Sequence, residues 1–163
     1  MDAIEALRTR RSIRAYESRP VDRELVETIV DCGRLAATAR NVQPCAFVAV
    51  SDADVRARIA ALATNGPFIA TTPVCIAVLS EDSTYYLEDG CAATQNMLVA
   101  ARALGLGTCW VAGDKKPYAK AVAELVGAPA NYKLVALIAL GYPASTPAPA
   151  KRPLSDVLHW EQF

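Results

Sequence analysis

The sequence predicts a single layered domain built from both α-helices and β-strands. Three observations carry this reading. Helical and strand patterns alternate along the whole chain, two helices precede the first strand, and apolar residues make up 53% of the 163 residues. Alternating elements with apolar faces must stack helices on a sheet to bury those faces. Starting with two helices sets the chain apart from a dinucleotide-binding fold, which begins with a strand. The length suits one domain spanning 1–163, and no linker or internal repeat divides it.

The elements follow from local chemistry. In "DAIEALRTR" Asp2 can cap a short helix, with Ile4 and Leu7 on one side. "RSIRAYESRP" has no helical period and reads as an extended loop. Asp22 opens "RELVETIVDCGRLAATA", where Leu25, Val26, Ile29, Val30 and Leu35 recur at helical spacing. "RNVQP" breaks that pattern, and "CAFVAVS" is a buried strand. "DADVRARIAALAT" is an amphipathic helix with Asp52 or Asp54 near its start. "NGPFIATTP" is a loop with room for one helical turn, and "VCIAVLS" is the next strand. Ser83 or Thr84 opens the helix "STYYLEDGCAATQNMLVAARALG", and Gly105 or Gly107 closes it. That helix is apolar nearly all round, which predicts burial on most faces. "TCWVAG" is a short strand. "KPYAKAVAELVG" is a helix stopped by Gly127, and "YKLVALIALGY" is the most hydrophobic strand. "PASTPAPAKRP" is stiff and extended, and "LSDVLHW" reads as a final strand.

Charge and composition exclude several function classes. Seventeen basic residues balance seventeen acidic ones, so the broad basic face of a nucleic-acid binder is not expected. No apolar run approaches the ~20 residues of a membrane-spanning helix. The N-terminus resembles no secretory signal. Five cysteines without a C-x-x-C pair suit reduced thiols in a cytoplasm. A lone histidine, His159, argues against a zinc site. There is no G-x-S-x-G, no P-loop and no H-E-x-x-H. A chain with neither a nucleophile nor a metal signature leaves the chemistry to a cofactor.

Four segments stand out as candidate sites. "RTRRSIRAY" gathers arginines around a serine in a chain without net charge. In an extended segment Arg10, Ser12 and Arg14 share one side, while Arg11 faces the other. Guanidinium forks and a hydroxyl suit a phosphate, and a solvated basic loop is the other reading. In "ARNVQPCAF", Asn41 and Gln43 offer amides to a planar heterocycle, or simply form a helix-ending turn. Pro44 biases Gln43 away from the helical region. Gly105 and Gly107 fail the spacing of a phosphate loop and read as helix stops. Gly113, after its strand, allows backbone to approach a flat ligand. Lys151 and Arg152 form a second small basic site, or a solvated tail.

Taken together and in this order, "RRSIRAY", "NVQPCAF", "AATQNMLVAARALGLGTCWVAG", "VALIALGYPA" and "KRPLSDVLHW" resemble the FMN-dependent nitroreductase family over nearly the whole chain. The resemblance implies an α+β three-layer sandwich, with a mostly antiparallel central sheet flanked by helices, assembled as a homodimer. It implies that Arg10, Arg11, Ser12 and Arg14 hold the FMN phosphate and ribityl chain. Asn41 and Gln43 would meet the flavin or ribityl region. Ala112 and Gly113 would supply backbone near the flavin's reactive nitrogen, and Lys151 and Arg152 would return to the phosphate. No protein side chain would be a dedicated catalyst and no metal would be used. NADH or NADPH would reduce the flavin, which would then pass electrons to a nitroaromatic, a quinone or a similar small acceptor. A flavin-binding redox sensor without turnover, or a dehalogenase or enoate reductase on the same fold, are the alternatives. The chain departs from the family pattern in places. Cys45 stands where a Trp often follows Gln-Pro, Ala112 where some members carry an acid, and the region between "ALAT" and "PVCIAV" is compact.

Overall fold

The computed structural model describes all residues, 1–163. Its elements run α1 (Ala3–Thr9), α2 (Arg23–Arg34), β1 (Cys45–Val50), α3 (Ala53–Leu62), β2 (Val74–Glu81), α4 (Tyr86–Ala103), β3 (Gly107–Ala112), α5 (Ala119–Leu125) and β4 (Tyr132–Gly141). Single 3-10 turns occupy Ala39–Asn41, Pro67–Ala70 and Leu154–Asp156. The four strands form one antiparallel sheet in the order β1-β2-β4-β3. Two hydrophobic clusters lie on its two faces. One joins Cys75, Ala77 and Leu79 of β2 to Ile59, Val122 and Ala123 of α3 and α5. The other joins Val74, Ile76 and Val78 to Ile29 of α2 and Met97, Leu98 and Ala101 of α4. Successive β2 residues thus point to opposite layers, as the strand's two-residue period requires. The architecture is the expected α+β three-layer sandwich.

Several local signals work as read. Asp2 accepts from the Glu5 N–H at 2.9 Å and Asp52 from the Val55 N–H at 2.9 Å, each capping its helix. Gly105 and Gly127 take left-handed backbone just beyond α4 and α5, with φ of +82° and +73°. Other signals fail. Neither Ser83 nor Thr84 caps α4, whose N-cap is Tyr85 without a side-chain bond. Helix α2 stops at Arg34, and Leu35, which the helical pattern counted as core, is exposed. Helix α4 buries its sheet-facing side, through residues such as Gly90, Ala93 and Met97, but leaves Gln95 and Asn96 exposed. The "LSDVLHW" segment is no strand: it holds a 3-10 turn and is exposed throughout. A strand needs a neighbour to pair with, and the arm after Ala144 meets none within the chain.

One irregularity shapes the sheet. Ala136 pairs with Val78 and Leu134 with Leu79, so Val135 is an extra residue in β4. This bulge frees the Val135 carbonyl, which accepts from the N–H groups of both Gly113 and Asp114 at 3.1 Å. The Val135 side chain packs on α4 at Gly90, where an added Cβ would lie 2.6 Å from its Cγ2. A Gly90→Ala variant should therefore lose about 1–3 kcal/mol through overpacking, against a gain of about 1 kcal/mol in helix propensity. The expected outcome is a lowered Tm in a thermal melt. A raised Tm would show that helix propensity outweighs the contact.

Candidate functional site

The arginine loop is fastened to the sheet by Ile13. That side chain is 3% exposed, and its N–H donates to the Thr108 carbonyl at 2.8 Å. Ser12 bridges to Thr108 in parallel fashion, and Tyr16 bridges to Pro143. Gly107 makes room for the rivet, since a Cβ there would sit 2.7 Å from Ile13 Cγ1. The Tyr16 hydroxyl donates to the Ile13 carbonyl at 2.6 Å, and burial raises its pKa well above the usual phenol value. The loop is thus held from both sides as an added edge beside β3.

With Ile13 turned inward, the alternation of an extended segment places the flanking arginines. Arg10 and Arg14 both act on the Cys109 thiol, pulling its pKa down while burial, the larger effect, raises it. The Arg14 guanidinium lies 6.0 Å from the centre of the Phe68 ring. Arg11 is tied to the backbone. Its Nη1 donates to the carbonyls of Arg8 at 2.9 Å and Arg10 at 2.8 Å, closing the end of α1, and its Nε is buried without a partner. Arg10 and Arg11 line a narrow cleft with Arg102, whose Nε donates to Thr9 Oγ1 at 2.9 Å. The chain's four ion pairs use Arg23, Arg34, Lys120 and Lys133. The guanidiniums of Arg10, Arg11, Arg14 and Arg102 have no carboxylate partner. Unpaired guanidiniums of this kind are electrostatically prepared for an anion.

Asn41 and Gln43 lie on a strained segment. Arg40, Asn41 and Gln43 have φ of +54°, +56° and +55°, a region that costs non-glycine residues on the order of 1–3 kcal/mol each. Gln43 leaves the right-handed helical region, as Pro44 demands, yet enters the left-handed one. Two anchors hold the segment. The Gln43 N–H donates to Thr38 Oγ1 at 3.1 Å, and the Ala39 N–H donates to Oδ1 of buried Asp89 at 2.9 Å. Both amide side chains are exposed, and no hydrogen bond joins them to the arginine cluster.

At the end of β3, Ala112 is exposed and Gly113 is buried. The close approach that Gly113 permits is to β4: a Cβ would meet Leu134 Cγ at 2.7 Å and the Val135 carbonyl carbon at 3.0 Å. Its N–H is committed to Val135. The Ala112 carbonyl accepts from the Tyr118 hydroxyl. Lys151 and Arg152 are exposed and form neither a hydrogen bond nor an ion pair within the chain. The base of their arm is fixed, because the Ala144 N–H donates to the Ala15 carbonyl at 3.0 Å. Thr146, two residues on, lines the cleft of Arg10 and Arg11.

Sequence reasoning missed Arg102 and Phe68. Arg102 had a usable signal, since it stands in the last turn of α4, where a cation faces a helix C-terminus. Phe68 had none, because only the folded 3-10 turn brings it beneath Arg14.

Comparison with known proteins shows the family. Residues 2–162 match the family model described as "Putative TM nitroreductase". A protein of Archaeoglobus fulgidus named "Putative NADH dehydrogenase/NAD(P)H nitroreductase" is 34% identical over 149 residues, 87% of this chain and 86% of that protein. A crystal structure of a protein of the same name from Parabacteroides distasonis superposes with a TM-score of 0.93 at 26% identity, covering 99% of this chain and 98% of that one. The NADPH:FMN oxidoreductase of Vibrio harveyi, solved with NAD+, superposes with a TM-score of 0.87 at 27% identity, over 99% of this chain and 77% of that one. The match runs through every element that builds the arginine cleft, from α1 to the arm, and the chain belongs to the nitroreductase family.

Proposed function

We propose that the chain is an FMN-dependent oxidoreductase that takes a hydride from NADH or NADPH and reduces a small electron-poor acceptor, a nitroaromatic or a quinone, with donor and acceptor using the site in turn. The observation that carries this reading is the set of unpaired guanidiniums on a loop riveted to the sheet edge. The residues present fit a phosphorylated cofactor: Arg10, Arg11 and Arg102 line one cleft, and none of them has a carboxylate to neutralise it. Relatives whose names include FMN and NAD(P)H supply the cofactor and the electron donor of the proposal.

When bound, FMN would supply the two-electron chemistry. The side chains then have binding and orienting work. Arg10, Arg14 and the Ser12 hydroxyl hold the phosphate, with Arg11 and Arg102 adding positive potential behind them. Asn41 and Gln43 present amides to the ring or the ribityl chain. Ala112, exposed at the end of β3, offers an open surface beside the ring, and Lys151 and Arg152 close on the phosphate. The strained, exposed 40–43 segment and the unattached arm suit a site completed by a second copy. Leu154 and Trp160 of the arm are 70% and 76% exposed, and Ile4 and Leu7 of α1 are bare as well. These exposed apolar side chains support an association face. The reading therefore includes a homodimer. Five free cysteines suit its placement in the cytoplasm.

Arg10→Ala should yield mostly colourless protein, since one charge-assisted hydrogen bond is worth about 1.5–3 kcal/mol. Full flavin absorbance in the purified variant would refute the assignment. Gly107→Ala should also lower flavin occupancy while leaving every arginine in place, because the new methyl group pushes Ile13 off the sheet. Unchanged occupancy would show that the rivet does not set the phosphate seat. Removing residues 149–163 should give a monomer by size-exclusion chromatography with weakened flavin binding. Steady-state NADH or NADPH oxidation with a nitroaromatic or quinone tests the activity itself, and tight FMN binding without turnover would overturn it.

A further inference from the structure

The turn that carries Asn41 and Gln43 is not held by packing. None of Ala39, Arg40 and Asn41 is buried, and Val42 and Gln43 are exposed. A cavity of about 180 Å³ separates it from the start of α4, lined by Arg40 and Val42 of the turn and by Ser83, Tyr85 and Asp89. Most of its hydrogen bonds are local. The Asn41 N–H donates to the Thr38 carbonyl at 3.0 Å, the Val42 N–H to the Ala39 carbonyl at 3.2 Å and the Gln43 N–H to Thr38 Oγ1 at 3.1 Å. Bonds within a turn do not fix its place on the protein. One hydrogen bond from Thr38–Gln43 reaches another element, that of the Ala39 N–H to Asp89 Oδ1 at 2.9 Å.

Asp89 is unusual in its own right. It stands in the first turn of α4, 5% exposed, and it is the only Asp, Glu, Lys, Arg or His side chain that the fold buries. It forms no ion pair. A buried carboxylate without a cation is costly. The N-terminal end of α4 offsets part of that cost, and the Ala39 N–H supplies the hydrogen bond. The same charge is felt further along the chain. Burial is the main cause that raises the Cys45 thiol pKa, and the Asp89 carboxylate raises it further. Asp89 thus lies within reach of both ends of the segment from Ala39 to Cys45.

We propose that Asp89 is a positioning residue, whose carboxylate tethers the Ala39 N–H and so holds the strained turn in the place where Asn41 and Gln43 meet the flavin. The functional half of this inference rests on the flavin reading of those two amides. Asp89 acts through the Ala39 backbone and touches no cofactor itself. It divides the binding work. The arginines serve the phosphate, and Asp89 serves the ring or ribityl end. Loss of the tether should therefore weaken a flavin with or without a phosphate, whereas loss of Arg10 should weaken only the phosphorylated one.

Two measurements on the purified full-length protein test this. Arg40 stands in the turn, so trypsin cleavage after it reads the tether without any flavin. Asp89→Ala should be cut there about tenfold faster or more, the equivalent of one lost charge-assisted hydrogen bond. Asp89→Asn keeps an oxygen for the Ala39 N–H and should restore most of the resistance. Fluorescence titration with FMN and with riboflavin reads the function. Asp89→Ala should weaken both by a similar factor, about tenfold or more, Asp89→Asn should recover most of the affinity, and Arg10→Ala should weaken FMN alone. Ala39→Pro removes the donor in place of the acceptor, after a residue whose φ of −126° and ψ of 151° suit a following proline. It should reproduce Asp89→Ala, and it keeps the test open if that variant does not fold. Unchanged cleavage at Arg40, an Asn variant as impaired as the Ala variant, or a loss confined to FMN would overturn the proposal. A wild-type protein that binds neither flavin would refute the flavin reading and the functional half with it, while the digestion still decides the tether.

Discussion

The contact of Ile13 with Gly107 governs the arginine loop. A flexible loop of arginines would spread its charge through solvent and lose side-chain entropy on every encounter with an anion. Here one buried aliphatic side chain, one backbone hydrogen bond to Thr108 and the Tyr16 hydroxyl fix the loop before any ligand arrives. The attachment at Ile13 also fixes where Arg10 and Arg11 enter their cleft. The glycine is part of the same device, because any side chain at 107 would occupy the space of the rivet. Hydrophobic packing sets the geometry of the charge.

The Val135 bulge has a comparable role at the other end of β3. An unbroken β4 ladder would spend its carbonyls on strand partners. The extra residue leaves one carbonyl to hold two successive N–H groups, of Gly113 and Asp114, and so ends β3 in a defined turn. Packing of Val135 against Gly90 ties that turn to α4. The regular sheet is thus edited at two places: an added edge segment at one end of β3 and an extra residue opposite the other.

Most of the fold was legible because its signals are local. Apolar runs gave the four strands, Asp2 and Asp52 the helix starts, and Gly105 and Gly127 the stops. The failures have a common physical source. The strand expected in "LSDVLHW" and the all-round burial expected of α4 both depend on neighbours, and propensity says nothing about whether a neighbour exists within the chain. Arg10 and Arg11 were readable as a basic pair because they are adjacent in sequence. Arg102 was not, since it arrives from 92 positions beyond Arg10 by helix packing. The close approach allowed by Gly113 was readable, but its object was not: only the structure shows that Leu134 and the bulge fill the space.

The exposed parts form a pattern of their own. Three left-handed residues at 40, 41 and 43 are strained, yet they are anchored through Thr38 and the buried carboxylate of Asp89. A solvated turn free of function would relax to an unstrained backbone, so the anchors hold the amides of Asn41 and Gln43 in place at a cost. The arm beyond Ala144 presents Leu154 and Trp160 to water, although its base is pinned beside Arg10 through Ala15 and Thr146. Each of these features is unfavourable in an isolated chain. In the proposed homodimer a second copy would cover the arm's apolar side chains and would give the anchored 40–43 segment a neighbour.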